Sequence, residues 1–285
     1  MNLRMNSPLN NVYIAAGSTE TPQLSTHLNY LNYLWRNTRQ LTATYSNRVE
    51  RNPNITRVVF SERLNLARLT YRSLQEEMEQ VNAAHDYARV CSAWVAIKGY
   101  YLLFYLETVL YSLVAADPAQ LKVSHDMTRK FVRDICKSSA LNTSFASLTD
   151  VVTHADCVST GVTAGANLRG QLDDQSRHKQ LMKKLKEYAK EEFKRRKSIE
   201  RLAGAAAQAF NQQELCLMDF FYWYRIKSNY RDLEFIAGES SSTPDLFDFY
   251  RMYNETAIGV AGAYIEVIND LFQRRSGEKD VLISF

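Results

Sequence analysis

Apolar residues recur along this chain at the three- and four-residue spacing of amphipathic helices, and breaks in that rhythm divide it into elements. Leu24, Leu28, Leu31 and Trp35 mark one stripe, in a helix that opens at Thr21-Pro22 (an N-cap followed by proline in the first turn) and is expected to run to about Val49. Residues 1–20 read as irregular, with a short extended piece at Asn11 to Ala15, and Asn52-Pro53-Asn54 ends the first helical region. A second helix is expected over Ser61 to Val81, with Leu64, Leu66, Leu69, Tyr71 and Leu74 as core candidates.

From Ala83 to Ala115 the 3.6-residue period is carried by Ala84, Tyr87, Ala88, Cys91, Val95, Leu102, Leu106, Val109 and Leu113. Tyr100 to Tyr105 is apolar nearly all round, which belongs in the middle of a bundle. Ser124 is expected to cap a further helix, with Met127, Phe131, Val132 and Ile135 inward. Leu141 to Ser176 is rich in Ser, Thr, Ala and Gly and reads as a loop-rich insertion, with a short strand near Asp150 to Thr153. A basic helix is expected from His178 through Ala209, and another over Gln212 to Ala237. The last, from Thr243-Pro244 to about Gln273, shows Leu246, Phe249, Tyr253, Ala257, Val260, Tyr264, Val267 and Leu271 in strict rhythm. Gly259, Ala261, Gly262 and Ala263 on it would let a neighbouring helix come close.

The pattern predicts an all-α bundle of seven or eight helices, with 10 Gly and 5 Pro among 285 residues arguing against a many-stranded sheet. Residues 1–82 read as an N-terminal helical extension and 83–285 as a bundle with an insertion at about 141–210. A hydrophobic content of 46% excludes general disorder. Val95 to Ala116, the most membrane-like stretch, is interrupted by Lys98 and Glu107, so a buried helix is expected. Met1 to Asn10 carries no apolar stretch; no secretory signal is expected, and the cytoplasm is the expected compartment. Cys91, Cys136, Cys157 and Cys216 lie far apart and read as reduced core thiols. His154-Ala-Asp-Cys157 with Cys136 upstream lacks a second close ligand pair, so neither metal nor cofactor is expected.

Net charge is a mild +4, unevenly placed: His178 to Arg201 holds ten Lys/Arg against four Glu. Lys183, Lys184, Lys190, Lys194, Arg195, Arg196 and Lys197 are candidates for RNA binding, the alternative being a solvated face partnered by Glu187, Glu191 and Glu192.

The densest chemistry follows an aromatic run, Phe220-Phe221-Tyr222-Trp223-Tyr224, which leads into Arg225-Ile-Lys-Ser-Asn229-Tyr230-Arg-Asp232. With Trp94-Val-Ala-Ile-Lys-Gly-Tyr-Tyr-Leu-Leu-Phe-Tyr-Leu-Glu-Thr-Val-Leu and the helix start Ser124-His125, this resembles the HEPN superfamily, helical bundles that include metal-independent ribonucleases and inactive nucleic-acid-binding relatives. The similar segments, about Ala83 to Ile135 and Gln212 to Gln273, make up under half the chain. The resemblance implies an RNA-directed protein acting as a homodimer: a metal-independent endoribonuclease of a toxin–antitoxin or phage-defence system with an antitoxin or defence-complex partner, or a non-catalytic RNA- or nucleotide-binding or assembly module. An interaction protein with no nucleic-acid role is a third reading.

In the family's Arg-x4-6-His pair, imidazole moves the ribose 2′-hydroxyl proton and guanidinium steadies charge on phosphorus. Carried over, Arg225 would be the phosphate-stabilising residue, with Asn229, Tyr230 and Asp232 beside it. Tyr230 stands where histidine is expected, and a phenol with pKa near 10 is a poor base at neutral pH. On a continuous helix Asn229 and Asp232 share a face with Arg225 while Tyr230 points about 140° away, so Arg225 and Tyr230 meet only if the helix starts or kinks near Ser228. The competing reading is a buried Arg225–Asp232 ion pair with Tyr230 in the core, and His125 as a packing residue at a helix start.

Overall fold

The computed structural model describes residues 24–115, 123–157, 174–230 and 243–285. Among them, eight α-helices and two two-stranded antiparallel ribbons form an all-α bundle: α1 (Leu24–Thr38), β1 (Ala43–Tyr45), α2 (Arg57–Ala83), α3 (Ala88–Val114), α4 (His125–Lys137), β2 (Leu141–Thr143), β3 (Val152–Thr153), α5 (Asp174–Lys197), α6 (Gly204–Asn211), β4 (Glu214–Leu215), α7 (Asp219–Tyr230) and α8 (Thr243–Ser276). No helix among the described residues is long and apolar enough to cross a membrane.

α3 is apolar on all sides because every side meets a neighbour: α2, α4, α7 and α8 all pack on it. α8 runs parallel to it, as the contacts Ser92–Leu246, Glu107–Tyr264 and Leu113–Arg275 advance together along both helices. α2 runs antiparallel, with Lys98 meeting Ser73 and Glu77 at one end and Arg63 meeting Ser112 at the other. The eight apolar positions of α8 read from the sequence are all buried. Leu31 and Leu34 of α1 and Phe60, Leu64 and Leu74 of α2 belong to the same core as α3 and α8. Arg275, near the end of α8, is itself buried and donates to the carbonyls of Leu113, Ala115 and Glu50, closing the otherwise unsatisfied C-terminus of α3.

Several expected boundaries move. Thr21-Pro22 lies outside the described residues. α1 stops at Thr38 rather than Val49, because residues 43–45 pair with 141–143 in a ribbon. The turn after Thr38 fits against Gly259 of α8, where an added Cβ would lie 2.3 Å from the Thr38 carbonyl oxygen. Gly262 meets nothing within 4 Å, so the close approach belongs to Gly259 and not to the whole small-residue run.

On α2, Leu66 and Leu69 face solvent while Ala67 takes the inward place; on α4, Met127 is likewise exposed. The basic helix ends at Lys197, where Ser198 (φ 53°) takes a left-handed turn with its amide on the Arg195 carbonyl and that of Ile199 on the Lys194 carbonyl. This Schellman arrangement, built on serine instead of glycine, separates α5 from α6. Ser139 (φ 55°) ends α4 in the same way. β3 does form within the expected short strand and pairs with Glu214–Leu215, which displaces the start of α7 from Gln212 to Asp219.

Candidate functional site

α7 begins with a reciprocal turn. The Asp219 side chain reaches back to accept from the Cys216 amide at 3.0 Å, as in a capping box with aspartate at its third position. The other carboxylate oxygen accepts from Arg129 Nε and Nη2 (2.9 and 2.6 Å) and from Arg133 Nη1 (2.9 Å), both on α4. Asp219 is buried, at 4% exposure. Burial alone would raise its carboxyl, but Arg129, Arg133 and the Cys216 amide outweigh it and hold the group below its usual range. The Arg129 guanidinium also lies over the Tyr222 ring, its central carbon 3.7 Å from the ring centre, so one guanidinium is held by a carboxylate and by an aromatic face.

Next to this pair is a second polar cluster. Ser124 caps α4 by accepting from the Met127 amide, which sets His125 in the first turn. His125 Nδ1 shares a 2.7 Å hydrogen bond with the Tyr100 hydroxyl, and its ring packs against Phe104 at 4.3 Å. The Arg225 guanidinium lies over the same two tyrosines of α3, 5.0 Å from the Tyr100 ring and 5.4 Å from Tyr101. Burial, then the Arg225 charge, lower the His125 imidazole below its usual range, so it is neutral at pH 7. Arg196, at the end of α5, closes the rim by donating to the Tyr222 hydroxyl and to Asp126.

Arg225 itself is half-buried. Among the described residues no carboxylate lies within ion-pair distance of it, and its buried Nε has no hydrogen-bond partner. The Trp223 Nε1 donor is buried and unpartnered in the same way. Below the cluster, Tyr100, Glu107, Arg129 and Asp219 line a small cavity. Glu107 accepts from the Tyr264 hydroxyl at 3.0 Å, and burial pushes its carboxyl up to about 8.

The sequence-predicted residues divide accordingly. Arg225 and His125, exactly a hundred positions apart, are brought onto one pair of tyrosine rings. α7 continues unbroken through Ser228 to Tyr230, so the break that would bring Arg225 and Tyr230 together is absent from its backbone. Asn229 and Tyr230 lie in that last turn, with only their backbone described, and Asp232 lies outside the described residues. On α5, Lys183, Lys190, Lys194 and Lys197 form a stripe on the side opposite the buried Leu181, Leu185 and Glu192, and carry no ion pair among the described residues. Lys184 pairs with Glu187, and Arg195 and Arg196 with Glu192. Arg196 is the member of the basic set seen to reach the Arg225 cluster.

His154 packs its ring on Phe210, 4.2 Å between centres, and all four cysteines are buried and unpaired. Among the described residues no three His, Cys, Asp or Glu side chains gather as metal ligands would. The Asp219–Arg129–Arg133 triad went unread in the sequence; its one trace was the acidic residue heading the aromatic run. No family model, curated protein or solved structure matches the chain.

Proposed function

We propose that this chain is a HEPN-type RNA-directed protein of the cytoplasm, acting as a homodimer on a phosphodiester held at Arg225, as a metal-independent endoribonuclease of a toxin–antitoxin or antiviral defence system. The observation that carries the reading is a half-buried guanidinium with no carboxylate beside it among the described residues, lying over two tyrosine rings next to a neutral imidazole. A guanidinium so placed has donors to spare for a phosphate, and aromatic faces offer stacking surface for a base. The nearby Asp219 does not compete, since Arg129 and Arg133 already occupy it.

A non-catalytic RNA- or nucleotide-binding or assembly module is the second reading. The unbroken course of α7 favours it, because positions 225 and 230 lie about 140° apart around such a helix.

The test is binding and cleavage of labelled single-stranded RNA by the full chain in EDTA, over a salt series. RNA binding is expected to weaken steeply with salt, and Arg225→Ala to weaken it by about tenfold, the scale of one lost charge-assisted contact. Unchanged affinity in Arg225→Ala would remove the reading. Cleavage abolished by EDTA would remove the metal-independent mechanism and leave binding.

A further inference from the structure

We infer that the imidazole of this site is supplied by His125, from the start of α4, and not by the Arg-x4-Tyr segment of α7. The inference rests on the RNA-directed reading above and names the group that would move the proton. His125 and Arg225 share Tyr100 and Tyr101: the imidazole is hydrogen-bonded to the Tyr100 hydroxyl, and the guanidinium lies over both rings. Tyr100 therefore fixes the orientation of one partner and the position of the other.

The remaining imidazole nitrogen, Nε2, makes no hydrogen bond among the described residues, and the ring is half-buried. With Nδ1–H donated to the Tyr100 oxygen, Nε2 keeps a lone pair, on a ring that shares Tyr100 and Tyr101 with the guanidinium. The charged groups facing it are Arg225 from α7, and Asp126 and Arg129 on its own helix; Asp126 is engaged by Arg196 of α5, and Arg129 by Asp219. A base kept neutral next to a cation suits attack on a phosphate, because the cation takes the anion while the base takes the proton.

The step balances within the RNA. Nε2 takes the proton of a ribose 2′-hydroxyl, and the 2′-oxygen bonds to the adjacent phosphorus as Arg225 holds the non-bridging oxygens. The bond from phosphorus to the 5′-oxygen then breaks, and that oxygen takes the proton back from the imidazolium. The products are a 2′,3′-cyclic phosphate and a 5′-hydroxyl, with no outside reactant.

The test compares the full wild-type chain with His125→Asn, His125→Gln and Tyr230→Phe on labelled single-stranded RNA in EDTA, reading binding and cleavage separately. Both His125 variants are expected to bind RNA as wild type does and to cleave about 100-fold more slowly, the scale of a lost general base. Tyr230→Phe is expected to cleave at the wild-type rate. The wild-type rate should fall as pH drops through the lowered imidazole range, a limb that the His125 variants lack, and this separates proton transfer from a merely structural role. RNA carrying 2′-deoxyribose should bind uncut. Wild-type cleavage by either folded His125 variant, or loss of cleavage in Tyr230→Phe, overturns the inference. So does RNA binding without cleavage by the wild-type chain, which leaves the RNA-directed reading standing. No RNA binding at all overturns both.

Discussion

Glu107 carries its carboxyl in the core, bonded to the Tyr264 hydroxyl, and burial lifts it to about 8. The folded protein therefore holds a proton there that the unfolded chain gives up above about pH 4.3. Between that value and about 8 the unfolded chain binds fewer protons at this group, so its contribution to stability falls as pH rises, by up to about 1.4 kcal/mol per pH unit. Glu107→Gln keeps an oxygen for Tyr264 and removes the ionisation. Urea unfolding at a series of pH values is expected to show Glu107→Gln gaining stability relative to wild type as pH rises through this window, while the opposite contribution of the buried His27 and His154 imidazoles is common to both proteins. Equal slopes for the two proteins would place the proton elsewhere. Asp219 works with the opposite sign: its lowered carboxyl contributes stability above the unfolded aspartate range that is lost as pH falls through its folded value.

Among the elements, α8 and α3 were the most legible in the sequence, since an unbroken stripe of large apolar residues leaves one face to bury. The boundaries were less legible because distant residues decide them. Ala43 to Tyr45 lie within the expected span of α1, yet a ribbon with residues about a hundred positions away wins them. The stop at Ser198 hid for another reason: a left-handed serine carries no mark such as glycine would give. The two glycines of α8 make a paired test. Gly259→Ala drives a methyl into the Thr38 carbonyl and is expected to cost about 1–3 kcal/mol, as overpacking does. Gly262→Ala enters open space and is expected to stabilise by about 0.5–1 kcal/mol through helix propensity. Thermal unfolding of the two variants checks both, and equal effects would mean that the approach of α1 to α8 is not tight.

For the whole molecule, all-α architecture followed from composition and rhythm, whereas the site was only half legible. Arg225 stood out by following five aromatics; its companions Tyr100, His125 and Arg129 come from other helices, which packing alone brings together. The proposed pairing of two copies predicts a sedimentation mass twice that of one chain. A wild-type chain that sediments as a monomer at every concentration, with or without RNA, would count against pairing.

Among the described residues around Tyr222 and Tyr100, three acidic side chains (Asp126, Glu192 and Asp219) serve four guanidinium groups, those of Arg129, Arg133, Arg195 and Arg196, while a fifth, Arg225, lies over the tyrosines with no carboxylate in ion-pair distance. Glu107 adds nothing below about pH 8, being uncharged there. Among the described residues this corner of the bundle thus keeps a surplus of positive charge at a wall of tyrosines, which a negatively charged visitor from solvent would offset.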